Sequence, residues 1–373
     1  LEHEVTRLDF ALPGSTELDA VIKGILESAK LEEPGEMERD AILQSALGLT
    51  TIEAENVFAL SVVEGGKLDP AIIAREKARM LKRNGLLECV GTSLSLESIG
   101  GLEQLKRWLL SRKHGFGTEA KSYGLPAPKG LLIVAIPGRG KSLTAKATAT
   151  VFGIPLLRLD MGKVFGGIVG QSEGNLRLVI QTAEAIAPCV LWIDEIEKGF
   201  SGTQGGGDGG TSARVFGSFL SWMQEKEKPV FVVATANDVS RLPPEFVRKG
   251  RFDEMFFVDL PTLGERALIW DIVIRKYGRK PHDFDSVVLA GASEQFTGAE
   301  IEAVFVEAMH AAFAADAEVT RKDLGNAITD TVPLAQQMDG EIARLRHWAK
   351  GRAREAGGEV RSPNRRRRRL EDN

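Results

Sequence analysis

The segment AIPGRGKS at residues 135–142 constrains the fold more than any other part of the chain. It continues the apolar run LLIV and precedes the helix-like segment TAKATATVF, so we expect it to join a buried strand to a helix. In that position the spacing G-x-x-x-x-G-K-S/T is typical of a phosphate-binding loop, whose backbone N–H groups and helix N-terminus hold anionic oxygens. The loop residues predicted to contact a nucleotide are Pro137, Gly138, Arg139, Gly140, Lys141, Ser142 and Leu143.

Two letters of this loop depart from the common pattern. Ala135 stands where the first glycine belongs, and Arg139 places a large cation inside the loop. One methyl group at a strand end is a modest steric change, and Arg139 can point away from the nucleotide while its N–H stays available. We therefore expect the loop to hold ATP, with Lys141 on the β- and γ-phosphates and Ser142 on Mg²⁺. For the loop taken alone, a structural turn is the alternative interpretation.

A second motif, VLWIDEIEK, ends an apolar strand in two carboxylates, Asp194 and Glu195. Ligands bind at the carboxyl ends of the strands in parallel sheets, so this acidic pair is expected at the same edge as the phosphate loop. We predict that Asp194 holds Mg²⁺ through water and that Glu195 polarises the attacking water. An acidic pair after a strand is otherwise a common helix-capping feature.

Two further segments, later in the chain, supply polar residues that could act in nucleotide hydrolysis. The strand FVVATAND ends at Asn237, which is predicted to orient water near the γ-phosphate. The turn LPPEFVRKGRFDE carries Arg248 and Arg251, and such arginines can reach a γ-phosphate across a subunit interface. Taken singly, the asparagine is a turn former and the arginines are solvated. Their position after the first two motifs favours the catalytic interpretation.

The hydrophobic pattern predicts an α/β fold with further helices at both ends. Five short apolar runs, at 131–135, 155–160, 189–194, 229–235 and 255–260, alternate with helix-like segments, as in a parallel sheet covered by helices on both faces. After Pro261 the periodicity becomes helical. The predicted divisions are a helical segment at 1–80, a linker at 81–98, a large nucleotide-binding subdomain at 99–260, a helical lid at 261–335, and a C-terminal helix with an arginine-rich tail at 336–373.

The N-terminal segment has a pattern similar to that of the predicted lid. Residues 8–26 and 48–66 parallel residues 258–274 and 296–312. One hypothesis is that residues 1–80 are the lid of a preceding, truncated copy of the same module. The alternative is that any two amphipathic helices look alike.

Composition bounds the remaining function classes. No apolar run approaches the ~18 residues that span a bilayer, and the N-terminus lacks a signal-peptide pattern, so a cytoplasmic protein is expected. Cys189 opens an apolar run far from Cys89, which predicts a buried free thiol. Six arginines lie in residues 361–373, where a solvated, disordered tail is favoured over a nucleic-acid contact. A nucleic-acid partner is therefore not expected.

These motifs, with SIGGLEQLK and FTGAEIEA, resemble the AAA subgroup of the AAA+ ATPases across about residues 99–331. The resemblance implies a P-loop three-layer αβα core with strand order 5-1-4-3-2, a helical lid, ATP and Mg²⁺, and a homo-oligomeric ring that usually has six subunits. It also implies that Ile99 and Gly100 line the adenine pocket with Gly298 and Ala299 of the lid. In that subgroup both γ-phosphate arginines come from the neighbouring subunit.

The segments DMGKVFGGIVGQSEGNLR and EAIAPCVLWIDEIEKGFSG are similar to the AAA proteins of a hypothetical chloroplast reading frame, found in red-algal plastids and cyanobacteria. For a protein of plastid origin, the implied compartment is the stroma. The loop GGIVG places Ile168 where protein-threading AAA rings present an aromatic residue, and Phe165 lies three residues earlier. The expected function is ATP hydrolysis coupled to remodelling of a protein partner. An ATP-gated scaffold with little turnover is the alternative.

Overall fold

The computed structural model describes residues 13–81, 85–91, 96–116, 120, 122–138, 140–165, 171–199, 209–248 and 250–358. Four features singled out in the sequence lie outside these residues: Arg139, Ile168 with its neighbouring glycines, most of the glycine-rich segment after Gly199, and the arginine-rich tail. The described residues fold as two compact units, one within residues 1–91 and 154–232 and the other within residues 92–153 and 233–373.

Within the described residues, the strands are β1 (Leu87–Val90), β2 (Gly130–Ala135), β3 (Leu156–Leu159), β4 (Cys189–Ile193), β5 (Val230–Ala236), β6 (Glu254–Val258) and β7 (Arg354–Glu355). Their order in the sheet is β1–β3–β4–β5–β2–β6–β7. The five strands predicted from the sequence are β2 to β6, and their order β6–β2–β5–β4–β3 is the predicted 5-1-4-3-2. The predicted α/β P-loop core is therefore confirmed.

The helices of the described residues are α1 (Ser15–Ala29), α2 (Glu36–Ala46), α3 (Thr51–Gly65), α4 (Pro70–Leu81), α5 (Glu103–Leu110), α6 (Lys141–Phe152), α7 (Met161–Phe165), α8 (Gln171–Ile186), α9 (Gly209–Glu225), α10 (Leu263–Lys276), α11 (Ser286–Ala292), α12 (Gly298–Ala314), α13 (Arg321–Asp330), α14 (Leu334–Gln337) and α15 (Asp339–Ala349). Short 3₁₀ helices lie at Leu96–Ser98, Val239–Arg241, Pro244–Val247 and Pro281–Asp283.

In the first unit, helices α1 to α4 enclose a small core of their own. Leu18, Ile22 and Phe58 are fully buried in it. Helix α3 begins at a capping box, because Thr50 Oγ1 accepts a hydrogen bond from the Glu53 N–H and the Glu53 carboxylate accepts one from the Thr50 N–H. The described residues 13–81 thus form a helical element, as the amphipathic pattern predicts.

Strand β1 lies inside the segment that was predicted to be a linker, residues 81–98. It pairs antiparallel with β3, with Leu87 opposite Leu159. Only four residues long and buried at a single position, LECV carries too little periodic signal to be recognised as a strand. Its partner strand β3 in turn pairs parallel with β4.

Two sequence expectations fall on side chains packed in this first unit. Cys189 is a free, fully buried thiol, as predicted, and burial raises its pKa to about 12. Phe165, proposed as a neighbour of the pore-lining residue, stacks on Phe216 with the ring centroids 5.4 Å apart. This contact gives Phe165 a packing role in the unit.

In the second unit, the lid helices α10 to α13 pack around Trp270 and Phe305, both fully buried. The indole of Trp270 donates to Ser293 Oγ over 3.0 Å, which satisfies its buried N–H. Capping boxes begin α10, α12 and α13. These helices lie within the range predicted for the lid.

Beyond the lid, the chain returns to the sheet. Strand β7 pairs parallel with β6, with Phe257 opposite Glu355. Before it, Arg346 of α15 holds Asp259 through two nitrogens, Nε to Oδ2 at 2.8 Å and Nη2 to Oδ1 at 2.9 Å. The segment predicted as a C-terminal helix and tail therefore also supplies an edge strand.

Candidate nucleotide-binding site

The phosphate loop follows β2, all six residues of which are buried. Ala135 is the last residue of that strand and is opposite Val258 of β6. The loop then turns through Gly138 and Gly140, whose φ angles are +80° and +54°, and α6 begins at Lys141. Because glycine adopts such angles without steric cost, these two positions favour a turn between β2 and α6.

Lys141 and Asn237, predicted to act on the same phosphate, lie side by side. Lys141 Nζ donates to Asn237 Oδ1 over 2.6 Å. Asn237 is positioned by β5, which ends one residue earlier, and Lys141 is the first residue of α6. Residues 96 positions apart in sequence are thereby joined in the second unit.

A cavity of about 1540 Å³ opens beside this pair within the second unit. Nine of the predicted nucleotide contacts line it: Ile99, Gly100, Gly138, Gly140, Lys141, Ser142, Leu143, Gly298 and Ala299. Pro137, in the same loop, is described but is not among the lining residues. The phosphate loop, the segment before α5 and the start of α12 therefore face one space.

The lid gives this cavity an apolar wall that the sequence did not reveal. A Cβ atom at Gly100 would lie 2.5 Å from Ile269 Cγ1, so Gly100 is required for the close approach of α10. Ile269 and Ile272 line the cavity from the same helix. An apolar wall with a few polar groups is typical of sites that bind a small molecule or a cofactor.

Charged residues of the lid and of the C-terminal segment also line the cavity. Lys276 and Glu302 form an ion pair, and the hydrogen bond from Lys276 lowers the pKa of Glu302. Glu355 lies on β7, where partial desolvation of its carboxylate and then the charge of Asp259 raise its pKa. Lys276, Glu302 and Glu355 belong to no recognisable sequence motif, and only the fold brings them to the cavity.

Asp194 and Glu195 follow β4 in the first unit. Asp194 Oδ2 lies 3.6 Å from Nη2 of Arg158, a residue of β3. Glu195 has a φ of +50°, an unusual value for a residue with a side chain, and its carboxylate forms an ion pair with Lys198. That hydrogen bond raises the pKa of Lys198. The sequence motif indicates the two carboxylates but neither of the cations beside them.

Arg248 and Arg251 lie on the turn between the 3₁₀ helix Pro244–Val247 and β6. Arg248 is exposed and lies 3.8 Å from the Glu245 carboxylate, while Arg251 donates to the Glu245 carbonyl oxygen. Asp253 fixes the turn by accepting from the N–H groups of Lys129 and Gly130 at 2.7 and 3.0 Å. Neither arginine is among the residues that line the cavity.

Comparison with known proteins bears on this arrangement. Residues 131–260 match the family described as "ATPase family associated with various cellular activities (AAA)". Residues 16–84 match another, "SpoVK-like AAA ATPase, second domain". An "uncharacterized AAA domain-containing protein ycf46" of Guillardia theta is 42% identical over 353 residues, which are 94% of this chain and 70% of that protein. This chain belongs to the AAA ATPase family.

Other AAA proteins are similar over different lengths. The ycf46 protein of Pyropia yezoensis is 44% identical over 357 residues, 94% of this chain and 72% of that protein. The "ATPase family gene 2 protein" of Saccharomyces cerevisiae is 31% identical over 231 residues, 61% of this chain and 30% of that protein. The resemblance to the ycf46 group stated from the sequence motifs is therefore confirmed.

The cavity of this AAA protein suits ATP, the nucleotide that the family implies. Gly138 and Gly140 give the backbone turn that a phosphate loop needs, and Lys141 supplies a cation at the same wall. Ser142, the expected Mg²⁺ ligand, lines the cavity as well. Among the described helices, none combines the length and the apolar character needed to cross a membrane.

Proposed function

We propose that this AAA protein is a Mg²⁺-dependent ATPase that assembles into a ring of six subunits and uses ATP hydrolysis to remodel a protein partner. The observation that carries the proposal is the 2.6 Å hydrogen bond from Lys141 to Asn237 at the edge of a cavity large enough for ATP. A cation at the start of a helix and an amide just after the end of a strand suit a γ-phosphate and its attacking water.

Each predicted residue then has one role. Ile99 and Gly100 hold the base from one side, with Gly298 and Ala299 on the other. The backbone of residues 137–140, together with Leu143, holds the phosphates. Lys141 neutralises the β- and γ-phosphate charge, and Asn237 orients the water that Glu195 polarises. Mg²⁺, bound by Ser142 and through water by Asp194, would offset the charge that develops on the phosphates.

Arg248 and Arg251 complete the site of the neighbouring subunit. This proposed role is supported by their position, because both arginines lie in the second unit, yet neither lines that unit's own cavity. Arg248 is also exposed, with 68% of its side chain accessible. In a ring, arginines at such a turn would reach the γ-phosphate held by the adjacent copy.

Residues 1–80 are proposed to be an AAA-like lid element. The proposed partner is a protein in the cytoplasm or the plastid stroma. The similarity of residues 16–84 to the second domain of SpoVK-like AAA ATPases supports the first point. The separate core of this segment, built around Leu18 and Phe58, is consistent with an element that folds as a unit.

The proposal is tested by ATP turnover of Glu195→Gln. Without the water-polarising carboxylate, turnover should fall ~10²-fold or more while ATP binding persists. Lys141→Ala should instead abolish binding, and Glu341→Gln, at an exposed position of α15, should change neither. The mass of the unmodified protein in ATP, measured by light scattering, should be six times the subunit mass. Unchanged turnover in Glu195→Gln would refute the catalytic assignment.

One observation favours the alternative, an ATP-gated scaffold with little turnover. The Glu195 carboxylate is engaged by Lys198, so it must leave this ion pair before it can polarise water. Lys198→Met should raise turnover if this ion pair limits the rate. Restoring the common loop with Ala135→Gly and Arg139→Thr should change turnover by no more than about tenfold. A gain of several hundredfold in the restored loop would favour the scaffold.

A further inference from the structure

Residues 354–358 lie beyond the lid in sequence but form part of the nucleotide cavity. Glu355, Gly357 and Gly358 line it. The segment is attached to the sheet, because β7 pairs with β6 and the Ala356 N–H donates to the Phe257 carbonyl over 2.9 Å. Ala356 is fully buried, so this attachment is part of the packed second unit.

The same segment caps α5, the helix that follows the predicted adenine-binding residues. No side chain caps α5, and its first-turn N–H groups need acceptors. The Ala356 carbonyl accepts from the N–H groups of Gln104 and Leu105 at 3.1 and 3.2 Å. Gln104 Nε2 returns a hydrogen bond to the Gly357 carbonyl over 3.0 Å. The C-terminal segment thus satisfies donors that lie 252 and 251 residues earlier in the sequence.

Glu265 links this segment to the lid. One carboxylate oxygen, Oε2, accepts from the Thr262 N–H at 2.9 Å and so caps α10. The other, Oε1, accepts from the N–H groups of Leu102 and Gly358, each at 3.4 Å. A single side chain therefore contacts the start of the lid, the segment before α5 and the C-terminal segment.

Glycines on both sides make room for this carboxylate. A Cβ atom would lie 2.7 Å from Glu265 Oε1 if added to Gly101, and 2.4 Å if added to Gly357. A side chain at either position would be accommodated only by moving the carboxylate. That movement would break its bonds to Leu102 and Gly358.

We propose that residues 354–358 are the base-side wall of the nucleotide site and that Glu265 is a positioning residue that holds this wall against the adenine-binding segment. The inference rests on the proposed nucleotide-binding function. While the wall is in place it retards nucleotide release, because release on that side requires the bonds of Ala356 and Gly358 to open. Nucleotide binding in turn stabilises the wall, as reciprocity between coupled sites requires.

The test compares two truncated chains, one ending after residue 358 and the other after residue 353. The first removes only residues 359–373, and the second also removes the wall. With a fluorescent ADP analogue, dissociation from the chain ending at 358 should match that from the full chain. Dissociation from the chain ending at 353 should be at least tenfold faster, since losses of contact act mainly on the dissociation rate.

Gly357→Ala provides a second variant in case the shorter chain does not fold. It should also accelerate dissociation several-fold, whereas Gly340→Ala, where a Cβ meets nothing within 4 Å, should not. Bound ADP should slow hydrogen exchange at the amides of Gln104 and Leu105 in the full chain but not in Gly357→Ala. A merely structural role would change the unfolding temperature without this nucleotide dependence.

The outcomes separate this inference from the function on which it rests. If the full chain binds no nucleotide, the proposed function is refuted. If it binds the ADP analogue tightly, but both truncated chains and Gly357→Ala release it at the same rate, the wall is refuted and the ATPase proposal stands.

Discussion

Replacing Asn237 with alanine tests the contact on which the proposed site depends. The Asn237 amide oxygen accepts from the Lys141 ammonium at 2.6 Å, a short distance expected for a charge-assisted bond. Hydrogen bonds to charged groups contribute ~1.5–3 kcal/mol. If the whole of this contribution is used in the transition state, kcat/KM should fall by about 10- to 150-fold.

The reduction should appear mainly in kcat. Lys141 lines the cavity and follows a loop whose backbone supplies most of the phosphate contacts, so ADP and ATP should still bind to Asn237→Ala. The assay is steady-state phosphate release over a range of ATP concentrations, with binding measured separately by fluorescence. Asn326→Ala, which removes the same atoms from an exposed position on α13, is the matched control.

A decrease of less than about threefold in kcat/KM, with nucleotide still bound, would refute the reasoning. It would mean that the Lys141 ammonium reaches the γ-phosphate without the amide and that the attacking water is oriented by other groups. An equal decrease in Asn326→Ala would instead assign the effect to the stability of the chain rather than to the site.

Three further predictions concern assembly, charge and packing. Mixing Lys141→Ala with Arg251→Ala subunits should restore some ATPase activity, because some interfaces then join an intact phosphate loop to an intact arginine; no recovery in the mixture would contradict action across the interface. Burial lowers the pKa of Lys77 from 10.5 to about 8. Between pH 8 and pH 10.5 the folded chain has therefore lost a proton that the unfolded chain still binds. The free energy of unfolding should rise by up to about 3 kcal/mol over that range. Denaturant titrations of Lys77→Met should lack this rise, and an unchanged slope would contradict the assignment. Phe305→Ala should lower the free energy of unfolding of the lid by ~3–5 kcal/mol, whereas Phe313→Ala, 84% exposed on the same helix, should change it by less than ~0.5 kcal/mol; equal shifts in thermal denaturation would contradict this.

The central strands could be predicted because their signal is local and strong. Strands β2, β4 and β5 are buried along their whole length, so each appears in the sequence as an uninterrupted apolar run between turn residues. The edge strands β1 and β7 carry no such signal. The two residues of β7 are exposed, and they are extended only because β6 offers an open edge.

The same distinction applies to the site. Lys141, Asp194 and Asn237 could be found because each lies at a fixed spacing from a strand end, and that spacing is visible in the sequence. Glu265 could not, since its contacts depend on how separate segments pack, and the pairing of Lys198 with Glu195 depends on the local turn after β4. Glu265 was visible only as the third residue of a capping box, which gives no sign of its bonds to Leu102 and Gly358.

The alanine that stands in place of the first glycine of the phosphate loop has a structural explanation. Ala135 is still a residue of β2, extended, fully buried and in register with Val258, so its position does not need the positive φ that only glycine adopts readily. Positions 138 and 140 of the loop, which have a positive φ, are both glycine. The methyl group of Ala135 therefore packs within the buried sheet and does not occupy the space where phosphates would bind. This argues that the departure from the common pattern leaves the nucleotide loop able to form.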